Sequence, residues 1–100
     1  MDKYRVSMTD RALRDLDAIY VYIAKTILEP GTALSLVDEI EKGIYSLDTM
    51  PQRCPERRIG IYANKGYRHL FIKHYTAVFR ISEQDKRVIV VTIRYSPSLF

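Results

Sequence analysis

Three segments with alternating polar and apolar residues in the last third of the chain constrain its fold most. They cover residues 67–73, 75–82 and 87–95, and each has the two-residue period of a β-strand. The first two segments leave hardly any room for a connection beyond Lys73-His74, and the polar residues 83–86 separate the second and third. Connections this short join neighbouring antiparallel strands, so we expect two successive hairpins.

Two earlier stretches have the apolar spacing of amphipathic helices. The first covers roughly residues 10–28, and Thr9 can accept hydrogen bonds from the free amides at its start. The second begins at Pro30, after a break at Glu29, and ends before Met50. The predicted apolar stripes are Leu13, Leu16, Ile19, Ile23 and Ile27 in the first helix, and Ala33, Leu36, Val37, Ile40, Ile44 and Leu47 in the second. The residues predicted to point away from the first stripe are Arg11, Arg14, Asp15 and Lys25.

The order of these elements defines a fold class. A short strand at Tyr4–Met8 precedes the helices, and residues 51–66 read as a loop with one turn of helix. The resulting β-α-α-β-β-β order predicts an α+β fold, in which a helical hairpin packs on one face of a twisted, mainly antiparallel sheet. The first strand would join this sheet by a long crossover. A chain of 100 residues supports one such domain, residues 1–100.

The strand period also assigns side chains to the two faces of the sheet. The bulkier apolar sets should lie against the helices: Tyr75, Ala77, Phe79, Ile81, Ile89, Val91 and Ile93. The opposite side of the sheet, termed the open face below, would then carry Thr76, Arg80, Thr92 and Arg94. Both sets of residues in segment 67–73 contain apolar side chains, which leaves the orientation of this strand undecided.

Charge is distributed unevenly along the chain. Residues 51–100 hold ten Lys or Arg and three Asp or Glu, an excess of +7, whereas residues 1–50 hold six and nine, an excess of −3. The basic character therefore coincides with the strands. A surface that binds an acidic or partly apolar partner fits this pattern, and an ordinary half-exposed sheet is the simpler alternative.

Several functional classes are disfavoured by the sequence. The single cysteine, Cys54, excludes an internal disulfide and has no nearby base to activate it as a nucleophile. His69 and His74 lack the neighbouring cysteines or carboxylates of a zinc site, so we expect no metal and no cofactor. The absence of a leader and of an 18-residue apolar run predicts a cytoplasmic chain without a membrane span.

The whole layout resembles the RelE/ParE superfamily of toxins from type II toxin–antitoxin, or plasmid stabilisation, modules. The segments that carry the resemblance are Thr9 to Leu16 at the start of the first helix, Leu47 with Met50-Pro51 at the helix exit, Gly66-Tyr67-Arg68, Tyr75 to Ile81, and Ile93 to Ser96. The resemblance implies a growth inhibitor that is silenced by an antitoxin encoded beside it.

Two activities are implied by this resemblance. RelE-type members cut messenger RNA in the ribosomal A site without a metal, using strand-borne Lys or Arg and a C-terminal arginine and tyrosine. Here the arginine expected after Tyr75 is Thr76, and the tail Ser96–Phe100 contains no Arg, Lys or Tyr. ParE-type members inhibit DNA gyrase, and the long helical hairpin favours this type. The alternatives are a RelE-like endoribonuclease and an inactive relic that binds only antitoxin or nucleic acid.

The candidate functional residues are the basic and aromatic residues of the strands. The catalytic candidates, if the chain is an enzyme, are Arg68, His69, Arg80, Arg94 and Tyr95, and the partner-binding candidates are Arg68, Lys73, Arg80 and Arg94. Arg80 and Arg94 should share the open face on neighbouring strands, where an anion or carboxylate could lie between them. The expected partners are a cognate antitoxin rich in Asp and Glu, and either gyrase or the ribosome with its message.

Overall fold

The predicted order of elements and the α+β fold class are confirmed. The computed structural model describes residues 3–27 and 30–96. Its strands and helices are β1 (Arg5–Met8), α1 (Asp10–Ile27), α2 (Pro30–Tyr45), β2 (Arg68–Ile72), β3 (Tyr75–Ser82) and β4 (Arg87–Tyr95). Two short 3-10 turns, Ser46–Asp48 and Pro51–Arg53, lie between α2 and β2. The predicted helix break at Glu29, the side chain of Ile27 and the tail after Ser96 lie outside the described residues.

The start of α1 is fixed by Thr9, as its sequence position predicts. The hydroxyl of Thr9 accepts a hydrogen bond from the amide of Ala12 at 3.1 Å, which satisfies one of the free donors of the first turn. The same hydroxyl donates to the carbonyl of Val91 at 3.0 Å. One side chain therefore both caps the helix and ties its first turn to β4.

The four strands form one sheet in the order β1-β4-β3-β2. β1 runs parallel to β4, and the other pairs are antiparallel. This arrangement matches the predicted crossover of the first strand and both predicted hairpins. The turn between β2 and β3 requires a positive φ at Lys73, which is +56°.

A β-bulge in β4 overturns part of the predicted face assignment. Val78 pairs with Thr92, but its neighbour Phe79 pairs with Val90, which leaves Val91 as an extra residue in β4. The side chains that face the helices are consequently Val88, Val90 and Ile93, all of them buried. The prediction was right for Ile93 and wrong for Ile89 and Val91. The reason is that the strict two-residue period assumes no inserted residue, and an almost continuous apolar run does not mark where one occurs.

The core lies between the helical hairpin and one face of the sheet. It is built from Ala12, Leu16, Ile40, Ile44, Leu47, Ala77, Phe79, Val88, Val90 and Ile93, together with Tyr4, Cys54 and Tyr75. Leu13, predicted to be in the buried stripe, is 49% exposed, and Ala12 lies in the core instead. Ala12 is fully buried at the end of α1 that Thr9 ties to β4.

Asp15 also departs from the prediction, because it faces the sheet rather than solvent. Its carboxylate accepts hydrogen bonds from the hydroxyl of Thr92 at 2.6 Å and from the amide of Ile93 at 3.1 Å. β1 pairs with β4 only as far as Val90, so the next amides of β4 have no neighbouring strand on that side. Asp15 of α1 therefore covers the part of the sheet edge that β1 leaves free.

Candidate partner-binding surface

The pairing of β2 with β3 settles the orientation that the sequence left undecided. Arg68 pairs with Phe79, whose ring is buried in the core, so Arg68, Leu70 and Ile72 lie on the helix side. His69 pairs with Val78 on the open face. The two neighbouring candidates Arg68 and His69 therefore lie on opposite sides of the sheet.

Arg68 is engaged by the protein itself. Its guanidinium donates to the carbonyl of Cys54 at 2.6 Å and to the carbonyl of Gln52 at 3.3 Å. Glu56 lies 3.9 Å away as an ion-pair partner. These contacts fix the 3-10 turn at Pro51–Arg53 against the start of β2, which is a structural role.

Arg80 and Arg94 are both exposed and both belong to the open face, but they are not adjacent. Arg80 pairs with Ile89, whereas Arg94 pairs with Thr76, which lies four residues before Arg80 in β3. At about 3.3 Å per residue their backbones are roughly 13 Å apart. The register therefore does not itself hold the two guanidinium groups around one small anion.

The two remaining candidates lie elsewhere. Lys73 is an exposed residue of the turn between β2 and β3. Tyr95 packs against Tyr75, with ring centroids 5.4 Å apart, and lines a groove of about 470 Å³ beside Ile19 and Tyr22 of α1. Burial, with smaller contributions from Tyr95 and Tyr22, raises the pKa of Tyr75. The five catalytic candidates are thus distributed over three regions rather than gathered in one constellation.

His69 is the candidate with the most unusual environment. Its ring lies 4.9 Å from that of Phe71, and its Nδ1 atom is buried without a hydrogen-bond partner among the described residues. Burial lowers the pKa of His69 below its usual value of 6.5, and the positive charge of Arg57 lowers it further. A neutral ring at neutral pH follows.

The open face is less open than the sequence suggests. Thr76 and Thr92 are 1% and 0% exposed, and Val78 between them is also buried. Residues of the loop 57–66 line a pocket of about 300 Å³ together with Val78, Thr92 and Arg94. This segment, termed the outer-face loop below, therefore lies over the middle of the sheet.

The outer-face loop is closed by backbone hydrogen bonds. The amide of Arg57 donates to the carbonyl of Tyr67 at 2.7 Å, and the amide of Asn64 donates to the carbonyl of Arg57 at 2.9 Å. The tip turns through Gly60, whose φ of +81° lies in the left-handed region that glycine adopts without strain. On either side of this glycine, Ile59 and Ile61 are each 69% exposed.

Sequence reasoning missed Arg57, Ile59 and Ile61 as functional candidates. A signal was available, because residues 57–82 hold six Lys or Arg and no Asp or Glu. Two isoleucines around a glycine are also unusual in an otherwise polar loop. Where the loop folds over the sheet depends on long-range contacts, which no local pattern specifies.

The described residues include no group of three or more His, Cys, Asp or Glu side chains able to hold a metal ion. In that same part of the chain, neither helix has the length and apolar character needed to cross a bilayer. Independently of these two findings, the half of the chain that holds β2 to β4 is basic and carries exposed aliphatic and aromatic side chains, a combination suited to binding a macromolecule.

This fold defines a small α+β protein whose surface suits a macromolecular partner. The family model for the ParE toxin of the type II toxin–antitoxin system parDE matches residues 6–97, and the chain belongs to this family. A comparison with curated protein sequences gave no significant match.

Solved structures of toxin–antitoxin proteins share the fold. A structure described as the chromosomal ParDE system from P. aeruginosa matches with a TM-score of 0.78 and 25% identity, covering 94% of this chain and 97% of that chain. The toxin–antitoxin complex RelBE2 from Mycobacterium tuberculosis matches at 0.67 and 19%, covering 93% and 98%. A YoeB/ParE toxin from Agrobacterium tumefaciens matches at 0.58 and 21%, covering 91% and 96%. The family match thus makes the protein a toxin of a type II toxin–antitoxin module, and the solved structures agree with it in fold.

Proposed function

We propose that this toxin arrests growth by inhibiting DNA gyrase, as ParE-type members do, and that it acts in the cytoplasm. The observation that carries the proposal is the state of Thr76. RelE-type chemistry would place an arginine at this position of the strand, whereas Thr76 is buried and its hydroxyl hydrogen-bonds that of Ser96 at 2.7 Å. The P. aeruginosa ParDE structure, at 25% identity, also supports the choice.

The distribution of the charged side chains supports the same proposal. Cleavage of RNA needs several cations aimed at one phosphate and a group that takes the 2′-hydroxyl proton. Arg68 is bound to backbone carbonyls on the helix side, and Tyr95 lines the groove beside α1. Neither can join His69 over the open face without a large rearrangement.

The experiment is a supercoiling assay with purified gyrase and the complete toxin. Wild-type toxin should inhibit supercoiling, and the antitoxin should relieve the inhibition. The double variant Arg80→Ala, Arg94→Ala should lose most of the inhibition, because both guanidinium groups are exposed cations in the basic half of the chain. Its free energy of unfolding should change by less than about 1 kcal/mol, the usual scale for surface changes. Growth arrest by a toxin that leaves gyrase unaffected would contradict the proposal.

RNA cleavage on the ribosome is the second candidate, and His69 is the observation that favours it. A ring kept neutral by burial can accept a proton, and Arg57 and Arg94 are cations on the same side of the sheet. Primer extension on translated messages should then show cuts in phase with codons, and His69→Gln should remove them. Uncut messages would eliminate this candidate. If cells that express the toxin without its antitoxin grow normally, the protein would be an inactive relic that binds only antitoxin or nucleic acid.

A further inference from the structure

We propose that the outer-face loop is the surface that docks on the toxin's target, and that the target presents an acidic protein surface with an apolar depression. The inference rests on the proposed function, because it assigns a surface to the inhibition of a protein target. Three observations support it: two exposed isoleucines, a loop closed by hydrogen bonds, and a positive charge around the loop.

The first observation is the exposure of Ile59 and Ile61. Each is 69% exposed, the highest fraction among the exposed large hydrophobic residues of the described chain. Both also line the pocket against Val78 and Thr92, so the apolar surface continues from the tip toward the sheet. A continuous apolar surface that the domain leaves in water is typical of a binding site.

The second observation is that the loop is held in place before any partner binds. The hydrogen bonds from Arg57 to Tyr67 and from Asn64 to Arg57 close its base, and the amide of Ala63 donates to the carbonyl of Gly60 at 3.1 Å across the tip. The rings of Tyr62 and Tyr67 meet edge to face at 4.9 Å. A preformed loop loses little conformational entropy on binding, which favours tight association.

The third observation is the charge around the tip. Arg57, Arg58 and Lys65 belong to the loop, and no acidic residue occurs between Glu56 and Glu83. Among the described residues, neither Arg57 nor Arg94 has a carboxylate within ion-pair distance. Such a field attracts an acidic surface and accelerates encounter with it.

The aromatic rings favour a protein over a single-stranded nucleic acid as the occupant. Proteins bind unpaired bases by stacking them on accessible aromatic faces. Here Tyr62 packs against Tyr67, and His69 packs against Phe71, so these rings have partners within the domain. The most exposed apolar side chains of the loop are aliphatic, and they suit an apolar depression on a protein.

The test uses the double variant Ile59→Ala, Ile61→Ala in the full-length toxin. The matched control is Leu13→Ala, Leu34→Ala, which removes two aliphatic side chains that are 49% and 53% exposed on the helical hairpin. Three quantities are measured for each: growth arrest on induction, inhibition of gyrase supercoiling, and binding to the antitoxin. Thermal unfolding confirms that each variant folds, and Arg58→Glu serves as an independent variant at the same surface.

The loop variant should need at least about tenfold more toxin for half-maximal growth arrest and gyrase inhibition, which corresponds to about 1.4 kcal/mol. The control should match the wild type, and both variants should bind the antitoxin as wild type does. Undiminished growth arrest by both the loop variant and Arg58→Glu would overturn the inference, as would an equal loss of antitoxin binding. If the loop variant instead loses an RNA-cleaving activity of the wild-type toxin, in parallel with its growth arrest, the proposal that the loop binds a protein would be overturned.

The failure of the proposed function is distinguishable from failure of this inference. If wild-type toxin arrests growth without affecting gyrase, the gyrase proposal fails by itself. The loop is then judged by growth arrest alone, which does not depend on the identity of the target. Weaker arrest by the loop variant would still support the assigned surface.

Discussion

Arg68 was a functional candidate from its place in a basic strand, but its contacts in the structure stabilise the fold. Its guanidinium donates to two backbone carbonyls of the segment before β2, at Gln52 and Cys54. Arg68→Ala should lower the free energy of unfolding by about 1.5–3 kcal/mol, the range for hydrogen bonds that involve a charged group. Arg80→Ala, at an exposed position, should change it by less than about 0.5 kcal/mol. Urea denaturation measures both, and equal effects would contradict the structural role.

His69 should make stability depend on pH. The pKa of His69 is lowered in the folded state, chiefly by burial. Well above pH 6.5 the ring is neutral in both the folded and the unfolded chain, so the full stability is present. As the pH falls below 6.5 the unfolded chain binds the proton first, and stability is lost until the folded-state pKa is passed.

The measurement is the urea midpoint at pH 8, 6.5 and 5.5. His69→Gln should flatten the decline over the acidic half of this range. His74→Gln, which alters an exposed residue of the turn between β2 and β3, is the matched control and should leave the decline unchanged. If the urea midpoint of His69→Gln declines as much as that of the wild type, the pH dependence comes from other titratable groups.

At the scale of elements, the contact between α2 and β2 depends on one glycine. A Cβ atom added to Gly43 would lie 2.7 Å from Cδ1 and 2.8 Å from Cγ1 of Ile72. Gly43→Ala should therefore destabilise the protein by about 1–3 kcal/mol, as overpacking does. Gly31→Ala in the same helix meets no atom within 4 Å and should be neutral or stabilising by up to about 1 kcal/mol.

A double-mutant cycle checks the cause. Ile72→Ala removes the obstructing atoms, so Gly43→Ala should cost less in that background than in the wild type. Thermal or urea unfolding of the four proteins gives the coupling energy. Simple additivity of the two changes would mean that the steric contact is not the source of the destabilisation.

The elements also show which parts of the fold are accessible from sequence. The starts of both helices, the Thr9 cap and both hairpin turns were predictable, because each depends on residues close together in the chain. The end of α2 was predicted too late, since the α-helix ends at Tyr45 and Leu47 lies in the following 3-10 turn. The bulge at Val91 and the inward position of Asp15 were not, since both arise where α1 meets the edge of β4. The candidate site divides in the same way. The positive charge of the strands and the loop could be predicted from the sequence. The position of the outer-face loop could not, because it depends on contacts between distant segments.

At the scale of the whole molecule, the charge asymmetry predicts how the antitoxin binds. An antitoxin rich in Asp and Glu should be drawn to the half that carries an excess of +7. The dissociation constant should rise as NaCl is increased from 50 mM to 500 mM, because salt screens exposed charges. Apolar contacts should preserve part of the affinity at the higher concentration.

Calorimetric titration of the toxin with its antitoxin provides the measurement. The triple variant Lys73→Ala, Arg80→Ala, Arg94→Ala removes three exposed cations and should reduce the dependence on salt. A variant of the opposite face, Lys25→Ala, is the control and should retain the wild-type slope. An affinity independent of salt would show that charge does not guide this complex.

The pairing of β1 with β4 has a consequence for the synthesis of the protein. Residues 5–8 pair with residues 87–90, so β1 cannot pair until the residues of β4 have been synthesised. A pairing so distant in sequence closes late, because the intervening chain must be ordered before the contact forms. While the last strand is still inside the ribosome, the nascent chain lacks the centre of its sheet. We therefore expect the complete sheet, and any binding surface that depends on it, to form only after β4 has left the ribosome.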